Sequence, residues 1–391
     1  MKINLRHLRV FLALAHTGSV TRAAEVTCLS QPAVTQALSK LERLAEQPLF
    51  LRRAQGIYPT RAGEVLARRI GRAFVLLDPA LSDLAPRLTL TATTAQLQAL
   101  IVMRETENFT LAARRMGLAQ PTVHRAVSRL EQEAGRAFFE RTAHGLVATR
   151  SAQALALAAR LAFAEIEQAE AELAELVGRE VGRIVIGAMP LSRSYLLPRA
   201  IARFRCRRPT LPVMALDGPY ADMMTGLRRG DIDFLIGAMR EPAPIGDIVQ
   251  EPLFQDRLNI VARANHPALS LAHPQLVDLI TYPFVVGLEG TPGRLIFDRI
   301  TAPLGTPPSL VETGSMILMR ELLRLSDHLG CISRLQIETE VELGALIRVP
   351  VDLSDTSRPI GLTLRTNWLP TQAQTEFLED LRAVGTDIAR A

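Results

Sequence analysis

Ser30-Gln31-Pro32-Ala33-Val34-Thr35-Gln36-Ala37-Leu38-Ser39-Lys40-Leu41-Glu42 is the stretch on which the fold turns. Ser30 is a good helix N-cap, and Pro32 stands in the first turn, where its missing amide hydrogen costs nothing, so a helix is expected over residues 33–45. Val34, Leu38 and Leu41 share one face at spacings of four and three, which turns Ala33, Thr35, Gln36, Ser39 and Lys40 away from the core. Such small polar residues can reach the edges of bases. Upstream, Leu5, Leu8, Phe11, Leu12 and Ala15 recur at helical spacing, Gly18-Ser19 breaks that helix, Thr21 caps a short helix through Glu25, and a second break follows over 27–29. Two helices joined by a tight turn make a helix-turn-helix.

The pattern returns 89 residues later, where Ala119-Gln120-Pro121-Thr122-Val123 matches Ser30-Gln31-Pro32-Ala33-Val34. The register runs without a gap from Thr21-Arg22-Ala23-Ala24 against Thr110-Leu111-Ala112-Ala113 to Thr60-Arg61 against Thr149-Arg150. In the second copy Val123, Val127 and Leu130 point inward and Gln120, Thr122, His124, Arg125 and Ser128 outward. Gln and Arg can make bidentate contacts to adenine and guanine in the major groove. After each helix, Arg52-Arg53-Ala54-Gln55-Gly56 and Arg141-Thr142-Ala143-His144-Gly145 read as basic turns between short strands, wings that would set cations on phosphates. The candidate DNA contacts are therefore Ser30, Gln31, Pro32, Ala33, Thr35, Gln36, Lys40, Arg52, Arg53, Thr60 and Arg61 in the first copy. Gln120, Pro121, Thr122, His124, Arg125, Arg141, Thr149 and Arg150 are their counterparts in the second. Three packed helices without nucleic acid are the plain alternative for any one such pattern; the repeat, the wings and the charge below weigh against it together.

The chain has 391 residues, more than one core usually holds, so two or more domains are expected. Hydrophobic residues at 48% and charged residues at 22% are ordinary for a globular chain, and 24 Gly with 24 Pro fall short of a low-complexity or collagen-like one. No stretch approaches the roughly 18 consecutive apolar residues of a membrane-spanning helix. Lys2, Arg6 and Arg9 ahead of Val10 mimic a signal sequence, but the apolar run that follows is too short. Cys28, Cys206 and Cys331 show no CxxC or Cys/His spacing, which argues against a disulfide framework or zinc site and fits a reducing cytoplasm. The formal charge of +5 is unevenly spread: residues 1–150 carry 21 Lys+Arg against 11 Asp+Glu, residues 151–180 carry 2 against 6, and residues 181–391 carry 22 against 23. The basic excess lies where it can neutralise a polyanion.

The heads resemble those of the LysR-type transcriptional regulators, through Leu8-Arg9-Val10-Phe11, Gly18-Ser19, Ala23-Ala24, Ser30-Gln31-Pro32-Ala33-Val34, Leu41-Glu42, Leu49-Phe50, Arg52-Arg53 and Thr60-Arg61-Ala62-Gly63. Members of that family usually carry one head. This chain departs by having two, with Glu107-Asn108-Phe109 in place of the Gly-Ser pair and Ser151-Ala152 in place of Ala62-Gly63, so which copy reads DNA stays open.

Leu155, Ala159, Ala162, Ile166, Ala169, Leu173 and Leu176 step by four and three, a coiled-coil seam with Glu165, Glu167, Glu170, Glu172 and Glu175 elsewhere around the helix. Leu66, Ile70, Ala73, Leu77, Ala80 and Leu84 repeat the seam in the first copy, where Asp78-Pro79 is expected to kink or end the helix. Each stripe fits a helix packed on its own head, and a sharper possibility is that the two linker helices of one chain pack together. The resemblance implies that the second helix dimerises the regulator.

From Arg183 onward strands and helices alternate: residues 184–188, 213–216 and 234–237 as strands, 195–205 and 220–230 as helices, then a strand over 258–263. A second set follows at 284–287, 295–304, 310–312 and 316–325, with 263–267 expected as the first crossing between lobes. Residues 347–351 and 360–364 are expected as strands returning to the first lobe, with a closing helix over 371–384. This layout resembles the two-lobed type 2 periplasmic-binding α/β fold of LysR-type effector domains. The expected fold class is thus multidomain α and α/β: winged helix-turn-helix domains at 1–63 and 93–151, a first linker at 64–92, a coiled-coil linker helix at 152–180 and an effector domain at 181–391. Its first lobe would span about 181–264 and 347–391 and its second about 265–346.

Ligands in open α/β sheets sit beyond the carboxyl ends of strands, where helix N-termini present amides to anions. That rule selects Ser192, Arg193, Ser194, Gly218, Gly237, Gly290, Thr291, Thr313, Gly314 and Ser315 as candidate effector contacts. For the hydroxyls the competing role is helix capping, and for Arg193 a solvated surface charge. Residues 189–198 and 218–230 with Glu251-Pro252-Leu253-Phe254 look most like the galactose-binding-protein regulator subgroup, which implies a sugar or organic acid as effector. An enzyme finds no support: seven histidines form no HExxH or HxH, and GxSxG, GxxxxGK[ST] and strand-borne GxGxxG are absent. A free solute-binding protein would not carry two basic heads. The expected role is a cytoplasmic one-component transcription regulator whose partners are double-stranded DNA and a small-molecule effector, with no membrane, cofactor or metal. It would act as a homodimer or homotetramer through the linker helix, with RNA polymerase as a further contact.

Overall fold

The computed structural model describes residues 4–54, 56–143, 145–240 and 246–390, and the chain divides into two compact units, Met1–Gly182 and Arg183–Ala391. The first unit begins with α1 (Leu5–Thr17), α2 (Val20–Thr27), α3 (Gln31–Ala45), β1 (Phe50–Arg53), β2 (Gly56–Pro59), α4 (Arg61–Leu84) and α5 (Leu88–Thr91). The second copy follows as α6 (Thr94–Thr106), α7 (Phe109–Met116), α8 (Gln120–Ala134), β3 (Phe139–Thr142), β4 (Gly145–Ala148) and α9 (Arg150–Leu176).

Capping explains where these helices start. Ser19, Ser30 and Thr60 accept bonds from the amides of Arg22, Ala33 and Gly63, and Thr93, Asn108 and Thr149 do the same for the second copy. Each copy also locks its strand entry with the same carboxylate: Glu42 accepts from the Leu49 amide at 2.9 Å and Glu131 from the Phe138 amide at 2.7 Å. Leu8, Phe11, Leu14, Val34, Leu41 and Leu49 form the first head's core, and Met103, Ala112, Val123 and Val127 lie in the second. The inward face of α3 is Val34, Ala37 and Leu41, with Leu38 only half-buried.

The helix α4 does not end at Asp78-Pro79, as expected, but continues to Leu84. Pro79 lies on the solvent side, and the carbonyl it cannot bond belongs to Val75, which is 75% exposed and so open to water. Asp78 is held by a two-pronged pair with Arg9 of α1, whose guanidinium also lies over the Phe74 ring.

The two linker helices pack against each other within the one chain. Leu66, Ile70, Ala73 and Leu77 of α4 and Leu155, Ala159, Ala162, Ile166, Ala169 and Leu173 of α9 are all buried in one shared core. Arg68 pairs with Glu172 and Arg72 with Glu165, so the helices run antiparallel. Arg69, fully buried, bonds Glu172 at 2.6 Å, Glu165 at 3.0 Å and Gln168 at 2.7 Å. Glu165 and Glu172, placed off the seam by spacing alone, are thus interface residues. Each head also braces the other copy's linker: Gln47 donates to the Leu173 carbonyl and Glu46 pairs with Arg179, while Arg87 donates to the Glu133 carbonyl and Thr91 bonds the Glu133 carboxylate.

The second unit contains β5 (Ile184–Ala188), α10 (Pro190–Ser194), α11 (Leu196–Arg207), β6 (Val213–Leu216), α12 (Tyr220–Arg229), β7 (Phe234–Ala238), β8 (Ile248–Asp256) and β9 (Leu258–Ala262). Then come α13 (Leu276–Leu279), β10 (Phe284–Val286), α14 (Pro292–Thr301), β11 (Leu310–Glu312), α15 (Met316–Leu325), β12 (Leu329–Ser333), α16 (Glu338–Glu342), β13 (Ile347–Arg348), β14 (Arg358–Arg365) and α17 (Gln372–Arg390). One sheet has the order β6-β5-β7-β14-β8 and the other β11-β10-β12-β9-β13. In each, three parallel strands are followed by one that runs against them, β14 or β9, and then by an edge strand, β8 or β13, that pairs antiparallel with it.

The crossings differ from expectation. The chain changes lobe at Arg257, between β8 and β9, and not over 263–267, because β9 pairs with β12 and β13 in the second sheet. For the same reason β13 belongs to the second lobe, and the return to the first lies between β13 and β14. Buried Asp256 and Arg358 pair at 3.1 Å beside this junction. Burial pushes the Asp256 carboxyl above its usual range, against the pull of Arg358.

Candidate nucleic-acid interface and effector cleft

Helix α3 presents Gln31, Pro32, Thr35, Gln36, Ser39 and Lys40 to solvent, with Ala33 half-buried at their edge. Helix α8 presents Gln120, Pro121, Thr122, His124 and Arg125. The two faces have the same outline and different chemistry. Thr35 donates back to the Gln31 carbonyl at 3.1 Å. The His124 ring packs on Phe109 of α7 with centroids 4.9 Å apart and lies 3.4 Å from the Ser128 hydroxyl, and Arg125 Nε donates to the Pro121 carbonyl. These contacts hold the outward face of α8 in place without covering it.

The wings are antiparallel hairpins, pairing Phe50 with Pro59 through Arg53 with Gly56, and Phe139 with Ala148 through Thr142 with Gly145. Gly56 and Gly145 close them at φ 143° and 122°, a backbone that favours glycine. Arg52, Arg53 and Arg141 are exposed on the strands, as are Arg61 and Arg150 at the starts of α4 and α9. Gln55 and His144 lie outside the described residues. Ser30, Thr60 and Thr149 spend their hydroxyls on capping, and Thr60 also donates to the Pro48 carbonyl at 2.8 Å, so their local role is to fix the frame.

The first wing is tied to its helix-turn-helix by the Ile57 amide, which donates to the Gly18 carbonyl at 3.0 Å. Glu107, which replaces Gly18 in the second copy, takes a left-handed backbone and instead accepts from the Ala148 amide through its side chain at 3.3 Å. The aligned register marks Glu107 as a departure. What it bonds was not legible.

In the second unit the candidate effector residues gather into two sets at strand carboxyl ends, one in each lobe. After β5, buried Ser192 donates to the Met189 carbonyl at 2.8 Å, Ser194 is half-buried, and Arg193 pairs with Asp217 at 2.6 Å on the surface. A side chain at Gly237 would come within 2.5 Å of Met189, so glycine there lets Met189 pack beside β7; Gly218 faces Met223. In the other lobe Thr291 donates to the Leu288 carbonyl, Gly290 makes a turn at φ 74°, and Gly314 also abuts Leu288. Thr313 accepts from the Ser315 amide, and Ser315 caps α15. Several of these hydroxyls are therefore committed to turns and caps.

Two residues missed by spacing rules stand at the same strand ends. Arg240, just beyond β7, lies with its guanidinium 3.7 Å from the Tyr220 ring centroid. The Tyr220 hydroxyl is buried and bonded to no described residue, and burial pushes it above its ordinary range. A Tyr following Asp217-Gly218-Pro219 at a helix start was the available signal.

Among the described residues no group of His, Cys, Asp and Glu could hold a metal ion, and no helix is long and apolar enough to cross a membrane. Residues 178–386 match the family described as LysR substrate binding domain, and residues 5–64 and 94–173 match the bacterial regulatory helix-turn-helix protein, lysR family. The chain is 35% identical over 391 residues to the HTH-type transcriptional regulator GalR of Pseudomonas putida, covering 99% of this chain and 98% of that one. It is 26% identical over 389 residues to the HTH-type transcriptional regulator PcaQ of Agrobacterium fabrum, covering 99% and 96%. Solved structures similar in fold include ArgP from Mycobacterium tuberculosis, with a TM-score of 0.56 and 18% identity over 74% of this chain and 96% of that one. Full-length OxyR from Pseudomonas aeruginosa gives 0.55 and 20% over 74% and 98%. The matched domains and relatives are those of regulators and not of enzymes. With both heads and the two-lobed unit matched along nearly the whole chain, this protein belongs to the LysR family and is a sequence-specific DNA-binding transcriptional regulator.

Proposed function

We propose that both heads contact DNA and that the two-lobed unit answers to a small anionic metabolite. The observation that carries the first part is that α3 and α8 each leave a polar face exposed beside an arginine-bearing wing, with Ser30 capping α3 and Thr149 capping the helix that follows the second wing. Gln31, Thr35, Gln36, Lys40, Gln120, Thr122, His124 and Arg125 read bases in this scheme, and Arg52, Arg53, Arg61, Arg141 and Arg150 hold phosphates. Arg240 and the Tyr220 hydroxyl, with the amides at the starts of α12 and α14 that no side chain caps, supply donors for a carboxylate. That favours an organic acid, sugar acids included, within the range of effectors that the galactose-binding-protein regulator likeness suggests. Effector binding changes the geometry of the linker helices and with it the spacing of the two heads of one chain, and RNA polymerase is a further contact.

Fluorescence anisotropy on DNA upstream of the gene, across a salt series, tests the DNA reading. Thr35→Ala/Gln36→Ala and His124→Ala/Arg125→Ala are each expected to cost about tenfold in sequence preference while salt-dependent binding persists. If one pair changes nothing, that head is scaffold. For the effector, Arg240→Met should abolish the thermal shift given by a panel of organic acids, and an unchanged shift would remove Arg240 from the site.

A further inference from the structure

The contacts between α4 and α9 are unlike at their two ends. At one end Arg69 lies between Glu165, Gln168 and Glu172. The 89-residue register places Ala158 where Arg69 stands and Leu76, Pro79 and Asp83 where those three stand, so the other end has no such cluster. A pairing of two α9 helices would bury Glu165 and Glu172 opposite Ala158, with no guanidinium between them. A pairing of two α4 helices would face Arg69 with Leu76, Pro79 and only Asp83. An unlike pair alone gives every buried charge its partner. Selection of partners by a buried polar group is a known device of helix pairs.

We propose, resting on the regulator reading above, that Arg69 makes the linker pairing heterotypic, so that one chain is by itself a complete two-headed DNA reader whose operator is asymmetric. The recognition faces differ at matching positions, Thr35 against His124 and Gln36 against Arg125. Gln pairs best with adenine and Arg with guanine, so the two half-sites are unlike in sequence and the site is not a palindrome.

Two measurements on the full-length protein test this. In the first, Arg69→Glu and Glu165→Arg/Glu172→Arg are each expected to lower the melting temperature. Combining all three substitutions in one chain should restore it, and mixing the two altered chains should not. Restoration by mixing would place the pairing between chains and overturn the proposal, as would an unchanged melting temperature in Arg69→Glu. If the charge-reversed chain does not fold, Arg69→Met/Glu165→Leu/Glu172→Leu replaces it. That variant should fold yet gain mass with concentration, because its helices no longer discriminate, and a mass that stays constant would count against the cluster's role. In the second, selection from a random duplex pool should enrich two unlike half-sites, with Thr35→Ala/Gln36→Ala erasing one and His124→Ala/Arg125→Ala the other. A palindromic consensus overturns the proposal. No enrichment at all, with rescue within one chain intact, would instead sink the DNA reading while leaving the pairing standing.

Discussion

A methyl group added at Gly63 would stand 2.1 Å from the Leu49 carbonyl oxygen, whereas the second copy carries Ala152 at the matching position. The first wing therefore sits closer to its linker helix than the second can. Gly63→Ala is expected to destabilise the head unit by about 1–3 kcal/mol, the usual cost of overpacking, as read from urea unfolding. A loss within experimental error would show that α4 can stand off as α9 does. The outward polar residues of α3 and α8 were legible in the sequence because helical periodicity alone assigns them a side. The stack of His124 on Phe109 and the bond from Ala148 to Glu107 were not, since both join elements that meet only in the folded head. Arg69 shows the same limit. It is one arginine among several on α4, and its burial follows from what stands opposite, not from its own neighbours in sequence.

Among the elements, α17 is clamped by charge at four places, Arg207 with Asp380 and Arg203 with Asp387 among them, and two of the clamps are two-pronged. Arg208 donates twice to Glu376, and Arg382 donates twice to Glu251 of β8. These guanidiniums hold both carboxyls below their ordinary value of 4.5. A lowered carboxyl stabilises the fold fully above that value and loses the contribution as pH falls through the lower, folded one. Thermal melts should thus show the second unit weakening from about pH 4.5 downward, and Arg208→Met should flatten that slope; an identical slope would mean the clamp is inert. Most elements of this unit could be placed from sequence, but β8 was not foreseen. Pro252 interrupts its pattern, and it is tolerated because β8 is an edge strand. The lobe membership of β9 and β13 was misread because a short apolar run fits either sheet equally well, and only pairing with β12 decides it. The helix α4 was expected to kink or end at Asp78-Pro79, and that it runs on was not legible because exposure of the Val75 carbonyl, which makes Pro79 harmless, depends on how the helix is rolled.

At the scale of the whole molecule, the division at Gly182 coincides with an exposed segment that carries Arg179 and Arg183. Brief native trypsin treatment should cut there first and yield two folded fragments, the smaller keeping salt-dependent binding to duplex DNA. First cuts inside α9 would contradict the two-unit organisation. The repeat made the presence of two heads plain from the sequence. That α4 and α9 meet inside one chain was only one of several arrangements the seams allowed, because a heptad stripe names a partner helix without saying whose it is. The antiparallel pair of α4 and α9 also has a genetic meaning. In a symmetric dimer every substitution in the recognition helix is made twice, so both halves of the operator must change in step for binding to survive. Here the two recognition helices are separate stretches of one gene, and a mutation in α8 leaves α3 as it was. With both heads reading DNA as proposed above, each half of the target could drift and be re-matched alone, and such a regulator would move to a new promoter through a series of single, individually tolerable steps.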